Sequence, residues 1–232
     1  QNQYQYEREQ YESWLHFACV WMGRTIMSNW VAIAKTTVSS GSTSGVTFGS
    51  IQPASTSSSG TNYDVLRVVW TAFSEYSTYS DDMIIYINNV TSNYWYSQWF
   101  WSPANSPGTD TTINQQRNNY AGFKGSFIQG ADAYNAGGAN GFAGGGFCNI
   151  YGCYGGASSD RGDVVNYLSM SGNSFGSNYS STSLNRGTTS GGAMDVTGGT
   201  VNVYEIDLVP SSGAYWGVGS TFWLYGLRNE VA

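Results

Sequence analysis

Charge is what this sequence has least of. Asp, Glu, Lys and Arg make up 10% of its 232 residues, where a soluble domain usually carries about a quarter. Ser, Thr, Asn, Gln and Gly stand in their place. The balance that remains is acidic, −6. That argues against a nucleic-acid backbone as partner and suits a particle whose neighbouring copies repel one another in water. Histidine occurs once, at His16, so metal sites built on imidazole have almost nothing to draw on. No Gly-x-Ser-x-Gly elbow accompanies it, and His16 is expected to be an ordinary helix-face residue. No run approaches the roughly 18 apolar residues that a membrane-spanning helix requires. Residues 1–29 lack the basic start and apolar middle of a secretory leader.

Cysteine is also scarce: Cys19, Cys148 and Cys153. Cys148 and Cys153 are close enough in sequence to close a small disulfide loop, or to sit side by side as reduced core thiols. A reducing compartment favours the second. Cys19 is expected to be a small buried apolar residue.

Aromatic residues are abundant, at 16%, far too many for a disordered chain. Two readings cover a chain with many rings and few charges. Much of its surface is hidden in an assembly, or it is an ordinary β-sandwich with a hydroxyl-rich surface. At this length a hydrophobic core is affordable without disulfides.

The chain divides at about residue 30 by the period of its hydrophobic pattern. Up to there it contains no proline and one glycine, Gly23, and Glu7, Glu9 and Glu12 precede Arg24, the charge order that a helix dipole favours. Tyr4, Tyr11, Leu15, Ala18 and Met22 recur at a and d spacing, and Trp14, Phe17 and Trp21 widen the stripe. The spacing predicts an amphipathic helix about 40 Å long over residues 1–28. Tyr4, Tyr11, Trp14, Leu15, Ala18, Trp21 and Met22 form its sticky face, which either packs on its own domain or serves docking or oligomerisation, with a trimer among the assemblies it could build.

From Trp30 the period falls to two. Strands are expected at 30–38, 45–51, 63–74, 82–88 and 93–101, then at 122–128, 146–154 and 164–170. Residues 102–119 and 172–192 read as loops. In Val218–Arg228, Phe222, Leu224 and Gly226 point one way while Thr221, Trp223 and Tyr225 point the other. Thr200–Val209 is expected to pair with that strand in one sheet, with Val201, Val203, Glu205, Asp207 and Val209 on one face. Many short strands with frequent turn signals predict an antiparallel β-sandwich, jelly-roll-like, over residues 30–232, preceded by the helix of residues 1–29.

The closing segment carries a resemblance. A strand ending in Pro210, a short glycine-containing loop and then Gly219-Ser-Thr-Phe-Trp-Leu-Tyr-Gly-Leu-Arg228 resembles the ending of a family of tailed-bacteriophage virion β-sandwich proteins, found as capsid decorations, fibres and tails. Trp30–Ser40 looks like the family's opening strand and Val46–Ile51 its second, with Tyr63–Val68 after it. Asp82–Asn89 and Asn93-Tyr94 look like its I-x-I/F-N…NY segment. The resemblance implies a non-enzymatic structural protein on the outer surface of a virion, a capsid decoration or head-fibre protein. Its partners would be other virion proteins and copies of itself, and it would need no cofactor. The alternative is a tail or fibre module recognising host-surface glycan.

Few residues suggest chemistry. Glu205 with Asp207, or Asp81 with Asp82, could pair as in a glycosidase. The simpler expectation is a solvent face for the first pair and a strand cap for the second. A Ca²⁺ site on Asp81 and Asp82 stands on the same ground. Arg161-Gly-Asp163 is an integrin-type tripeptide but reads as a turn, and Asn89-Val-Thr91 and Asn178-Tyr-Ser180 match a glycosylation sequon that matters only in a secretory setting. Asn93–Trp101 packs six rings into nine residues, more than one strand face can bury. Tyr94, Tyr96, Trp99 and Trp101 are therefore candidate contacts for glycan or protein.

Overall fold

The computed structural model describes residues 30–51, 63–77, 80–101, 112–129, 144–153, 167–176, 186–195 and 202–227. These hold twelve strands: Trp30–Thr37 (β1), Val46–Phe48 (β2), Val65–Ala72 (β3), Ser80–Ile87 (β4), Tyr94–Trp101 (β5), Thr112–Tyr120 (β6), Phe123–Gln129 (β7), Gly144–Tyr151 (β8), Tyr167–Gly176 (β9), Arg186–Asp195 (β10), Ile206–Pro210 (β11) and Thr221–Leu227 (β12). They form two antiparallel sheets. The large one has the order β1-β12-β3-β8-β9-β10-β5-β6, the small one β2-β11-β4-β7. The chain is therefore mainly β, and the described residues contain no helix. The predicted helix of residues 1–29, with its stripe from Tyr4 to Met22, lies outside the described residues.

Alternation builds one core between the sheets. Leu66, Val68, Trp70 and Ala72 of β3 point inward, as do Phe222 and Leu224 of β12. They meet Met83, Ile85 and Ile87 of β4 and Ile206 and Leu208 of β11. Each such side chain, taken wholly out of water, contributes about 1.5–3 kcal/mol before conformational entropy is charged against it. Beneath the rings the adjacent or facing strand is bare. A Cβ on Gly146 would strike the Trp70 indole, and one on Gly192 would strike the Phe123 ring.

That complementarity corrects one expectation. Residues 172–192 are not one long loop, because β9 runs to Gly176 and β10 begins at Arg186. Their core-facing positions include Gly172, Ser174, Ser190 and Gly192: a Cβ on Gly172 would meet Phe147 O and Ser190 Oγ, and the Phe123 ring of β7 closes over Gly192. A strand without large apolar residues looks like a loop. The same holds for 102–119, of which Thr112–Tyr120 is the edge strand β6, paired along its backbone to β5.

The closing pair is also corrected. β11 and β12 lie in different sheets, β11 between β2 and β4, β12 between β1 and β3. The connection from Ser211 to Ser220 crosses between sheets instead of folding back as a hairpin. Trp216 is buried in that crossing. Its Nε1–H donates to Leu208 O at 3.1 Å, its backbone N–H donates to Thr43 O at 2.7 Å, and its ring meets Phe222 edge-on at 4.8 Å. Val203 is buried and Tyr204 exposed, so the alternation expected from residue 200 begins only at Ile206.

The two ends of the large sheet differ. Trp30 pairs with Leu227, so residues 1–29 and 228–232 leave the sheet at one end. At the other end Thr71, Gly145, Phe175, Gly187 and Trp101 stand in register across five strands. The strand ends that carry the connections 102–111, 130–143 and 177–185 lie there. So do the exposed side chains of Tyr76, Tyr215 and Val218, next to the ends of β3 and β12.

Candidate functional site

The aromatic run is divided by its strand. Tyr94 and Tyr96 are buried in the core, which removes them as surface contacts. β5 has sheet partners on both edges and β7 across its inner face, so alternate rings must pack inward. The ring of Tyr96 meets Phe123 edge-on at 6.3 Å. Burial raises the Tyr94 hydroxyl well above the usual phenol range. The side chains of Trp99 and Trp101 lie outside the described residues.

The carboxylates serve structure. Asp81, nearly buried, accepts from Asp82 N at 2.8 Å, Ser211 Oγ at 3.1 Å, Ser212 N at 3.2 Å and Ser212 Oγ at 2.5 Å. It pins the start of the crossing connection instead of capping a strand end. Asp82 pairs with Lys124 at 2.9 Å. Asp207 accepts from Thr47 Oγ1, and Glu205 from Asn89 Nδ2. Among the described residues no group of three or more His, Cys, Asp or Glu converges as a metal site, and no helix is long and apolar enough to cross a membrane. Cys148 and Cys153 are both buried thiols, and Cys153 Sγ donates to Ile150 O at 3.0 Å. Arg161-Gly-Asp163, the sequon at Asn178, His16 and Cys19 fall outside the described residues.

The surface that the sequence did not single out is the outer face of the large sheet, away from the core. Its rows follow from the register. Tyr225, Arg67, Asn149, Ser171, Gly191 and Ser97 stand side by side across six strands. The neighbouring row runs Trp223, Val69, Phe147, Asn173 and Thr189.

The face has a high half and a low half. On β1, β12, β3 and β8 it is bulky. The Arg67 guanidinium lies 4.4 Å from the Trp30 ring centre and 5.3 Å from that of Phe147, and Lys35 sits over Trp223 at 5.7 Å. Such stacking holds a cation while leaving its charge available. In the row of Ser171, Gly191 and Ser97 the face of β9, β10 and β5 drops, and a Cβ on Gly191 would meet no atom within 4 Å; Trp95, half-buried, stands on the same face of β5 one row away.

A hydrogen-bonded relay lines the step between the halves. Arg67 Nε donates to Asn149 Oδ1 at 2.7 Å, Asn149 Nδ2 to Tyr151 OH at 3.1 Å, and Ser171 Oγ to Tyr151 OH at 3.4 Å. In the next row Thr189 Oγ1 donates to Asn173 Oδ1 at 2.8 Å. Phe175, 65% exposed, closes one end of the low half, its ring resting against Gly145. Composition held the only hint of this face: hydroxyl and amide residues alternating with glycine in what looked like a loop.

No protein-family model, no curated protein and no solved structure matches this chain.

Proposed function

We propose that this chain is a non-enzymatic structural protein on the outer surface of a tailed-phage virion, a capsid decoration or head-fibre protein. In this reading residues 30–232 form a jelly-roll-like β-sandwich that faces solvent, and the amphipathic helix of residues 1–29 docks it to the particle or joins copies of it. The observation that carries the reading is the polarity of the large sheet. The segment with the aromatic stripe leaves from the end marked by Trp30 and Leu227, which also bears the connections 152–166 and 196–205, and the strand ends bearing the connections 102–111, 130–143 and 177–185 stand at the other. A domain tethered at one end presents the opposite end to its surroundings. Low charge and the exposed Tyr76, Tyr215 and Val218 suit contact with neighbouring subunits there.

The test is a deletion of residues 1–29 together with immunogold labelling of intact particles. The truncated protein is expected to stay folded and soluble and to be missing from particles, while antibody against residues 30–232 labels the head regularly. Normal incorporation of the truncated protein removes the docking role. Antigen in the lysate with no labelled particle removes the virion assignment.

A second reading, a tail or fibre module that binds host-surface glycan, is favoured by one observation: the ring-walled, hydroxyl-lined low half of the outer face.

A further inference from the structure

The geometry points to an acidic glycan, one bearing carboxylate groups, as the ligand of the trough formed by Ser171, Gly191 and Ser97. The inference rests on the glycan-binding reading and adds to it a place and a charge.

The place follows from relief. The trough spans three strands, about 10 Å at about 4.8 Å spacing, and the row from Ser97 up the step to Arg67 crosses five, roughly 19 Å, long enough for a few sugar rings end to end. Gly191 leaves bare backbone at the centre of the trough. Hydroxyls and amides of Ser171, Asn173 and Thr189 offer donors and acceptors in register beside it. Phe175 offers an exposed ring at one end and Tyr151 another along the step, each suited to the apolar face of a sugar. A protein partner would call for a contiguous apolar centre with the polar groups at its rim. Here the centre is hydroxyl and glycine, and the rings are at the rim.

The charge follows from which ionisable groups face outward. The chain is acidic overall, at −6, yet the described side chains of this face include two cations, Arg67 and Lys35, and no carboxylate. Among the outward register positions of the large sheet the acidic one is Asp195, at the end of β10 that pairs with Tyr167, away from the end that pairs with Phe175. Arg67 contacts Trp30, Phe147 and Asn149, so its charge is oriented by rings and an amide, and no carboxylate among the described residues pairs with it. It stands in the same row as the trough, two strands from Ser171. A carboxylate on a sugar chain lying along that row meets a fixed guanidinium.

The experiment is a binding titration of the full chain with two panels of short oligosaccharides. One panel is acidic (uronate-, sialate- and pyruvate-bearing) and the other uncharged (dextran and mannan). At least one acidic member is expected to bind, more weakly as salt rises, with the uncharged panel about tenfold weaker or worse. Gly191→Leu fills the trough from a position where the new Cβ has free space, so the fold should be retained, and it is expected to weaken binding about tenfold or more. Phe175→Ala, at an exposed ring, is expected to weaken it as well. Arg67→Gln should erase the preference for acid.

Binding of uncharged sugars as tightly as acidic ones overturns the charge and leaves the glycan reading standing. Binding untouched by Gly191→Leu overturns the place. Silence from both panels overturns the inference and the glycan reading together, and a protein captured on this face in their stead gives it to the other class of partner.

Discussion

Tyr94 ties the two sheets together. It belongs to β5 of the large sheet, and its hydroxyl, inside the core, accepts the backbone N–H of Ile87 at the end of β4 in the small sheet, at 2.7 Å. The contact holds the turn from Asn88 to Asn93, whose residues Asn88, Asn89 and Asn93 all have positive φ. Short polar side chains make that region accessible, and Asn is the residue that occupies it most readily after glycine. Asn88 adds its own bonds, accepting Tyr204 N and Glu205 N at 2.9 and 3.1 Å and donating to Asn202 O at 2.8 Å.

Tyr94→Phe keeps the ring and removes the acceptor, leaving the Ile87 N–H buried without its partner. The expected loss of stability is about 1–3 kcal/mol, read from urea denaturation. A change near zero would show that the turn, and not the tyrosine, holds the sheets together.

Gly191 and Gly192 are neighbours on opposite faces of β10, and they should respond oppositely to a methyl group. At Gly192 a Cβ would collide with Trp95 O and the Phe123 ring, so Gly192→Ala is expected to cost about 1–3 kcal/mol through overpacking. At Gly191 the Cβ meets open space, so Gly191→Ala is expected to be neutral or stabilising by up to about 1 kcal/mol, because glycine loses more freedom on folding. Thermal melts of the two variants decide it, and equal destabilisation would contradict the assignment of faces.

Alkali should weaken the fold from about pH 9 upward. Burial pushes the Cys153 thiol up to about 12 from an ordinary 9.0, and it moves Cys148 and the Tyr94 hydroxyl in the same direction. A raised pKa means that the folded state keeps a proton which the unfolded state releases. The stabilisation is therefore complete below the unfolded pKa and is lost as pH rises towards the folded one. Each thiol contributes a slope of about 1.4 kcal/mol per pH unit in that window. Denaturation midpoints at about pH 8 and about pH 10.5 should fall accordingly, and Cys153→Ala should start lower and fall less steeply. A flat profile in the parent would mean that the thiols are not buried in solution.

Legibility in the sequence tracked how each strand fills space. β3, β4 and β12 carry their own large apolar residues at alternate positions, and Leu66, Met83 and Phe222 announce which face is inward. β9 and β10 fill the core with Leu168, Met170 and Met194, but from Gly172 to Gly192 their core-facing positions contribute floor. Gly192 lies under the Phe123 ring and Gly172 beside the backbone of Phe147, both from strands distant in sequence, and no local pattern records those neighbours. The aromatic run of β5 was visible as an excess of rings, but the strand's place near one edge of the large sheet, under β7, sent Tyr94 and Tyr96 inward.

The sequence by itself determined the class of structure. The change of period near Trp30, the alternation of the apolar strands and the glycine and serine punctuation together require antiparallel β structure with one buried face, because a period of two can satisfy burial only in strands. The tertiary structure decided partnership. It placed β11 and β12 in separate sheets, since each already has two neighbours and Trp216 fills the crossing between them. It also gathered Arg67, Asn149, Ser171 and Gly191 into one row. Local sequence fixes which face a side chain takes, but the neighbour it meets there comes from a strand tens of residues away, and only the packing of the whole chain selects it.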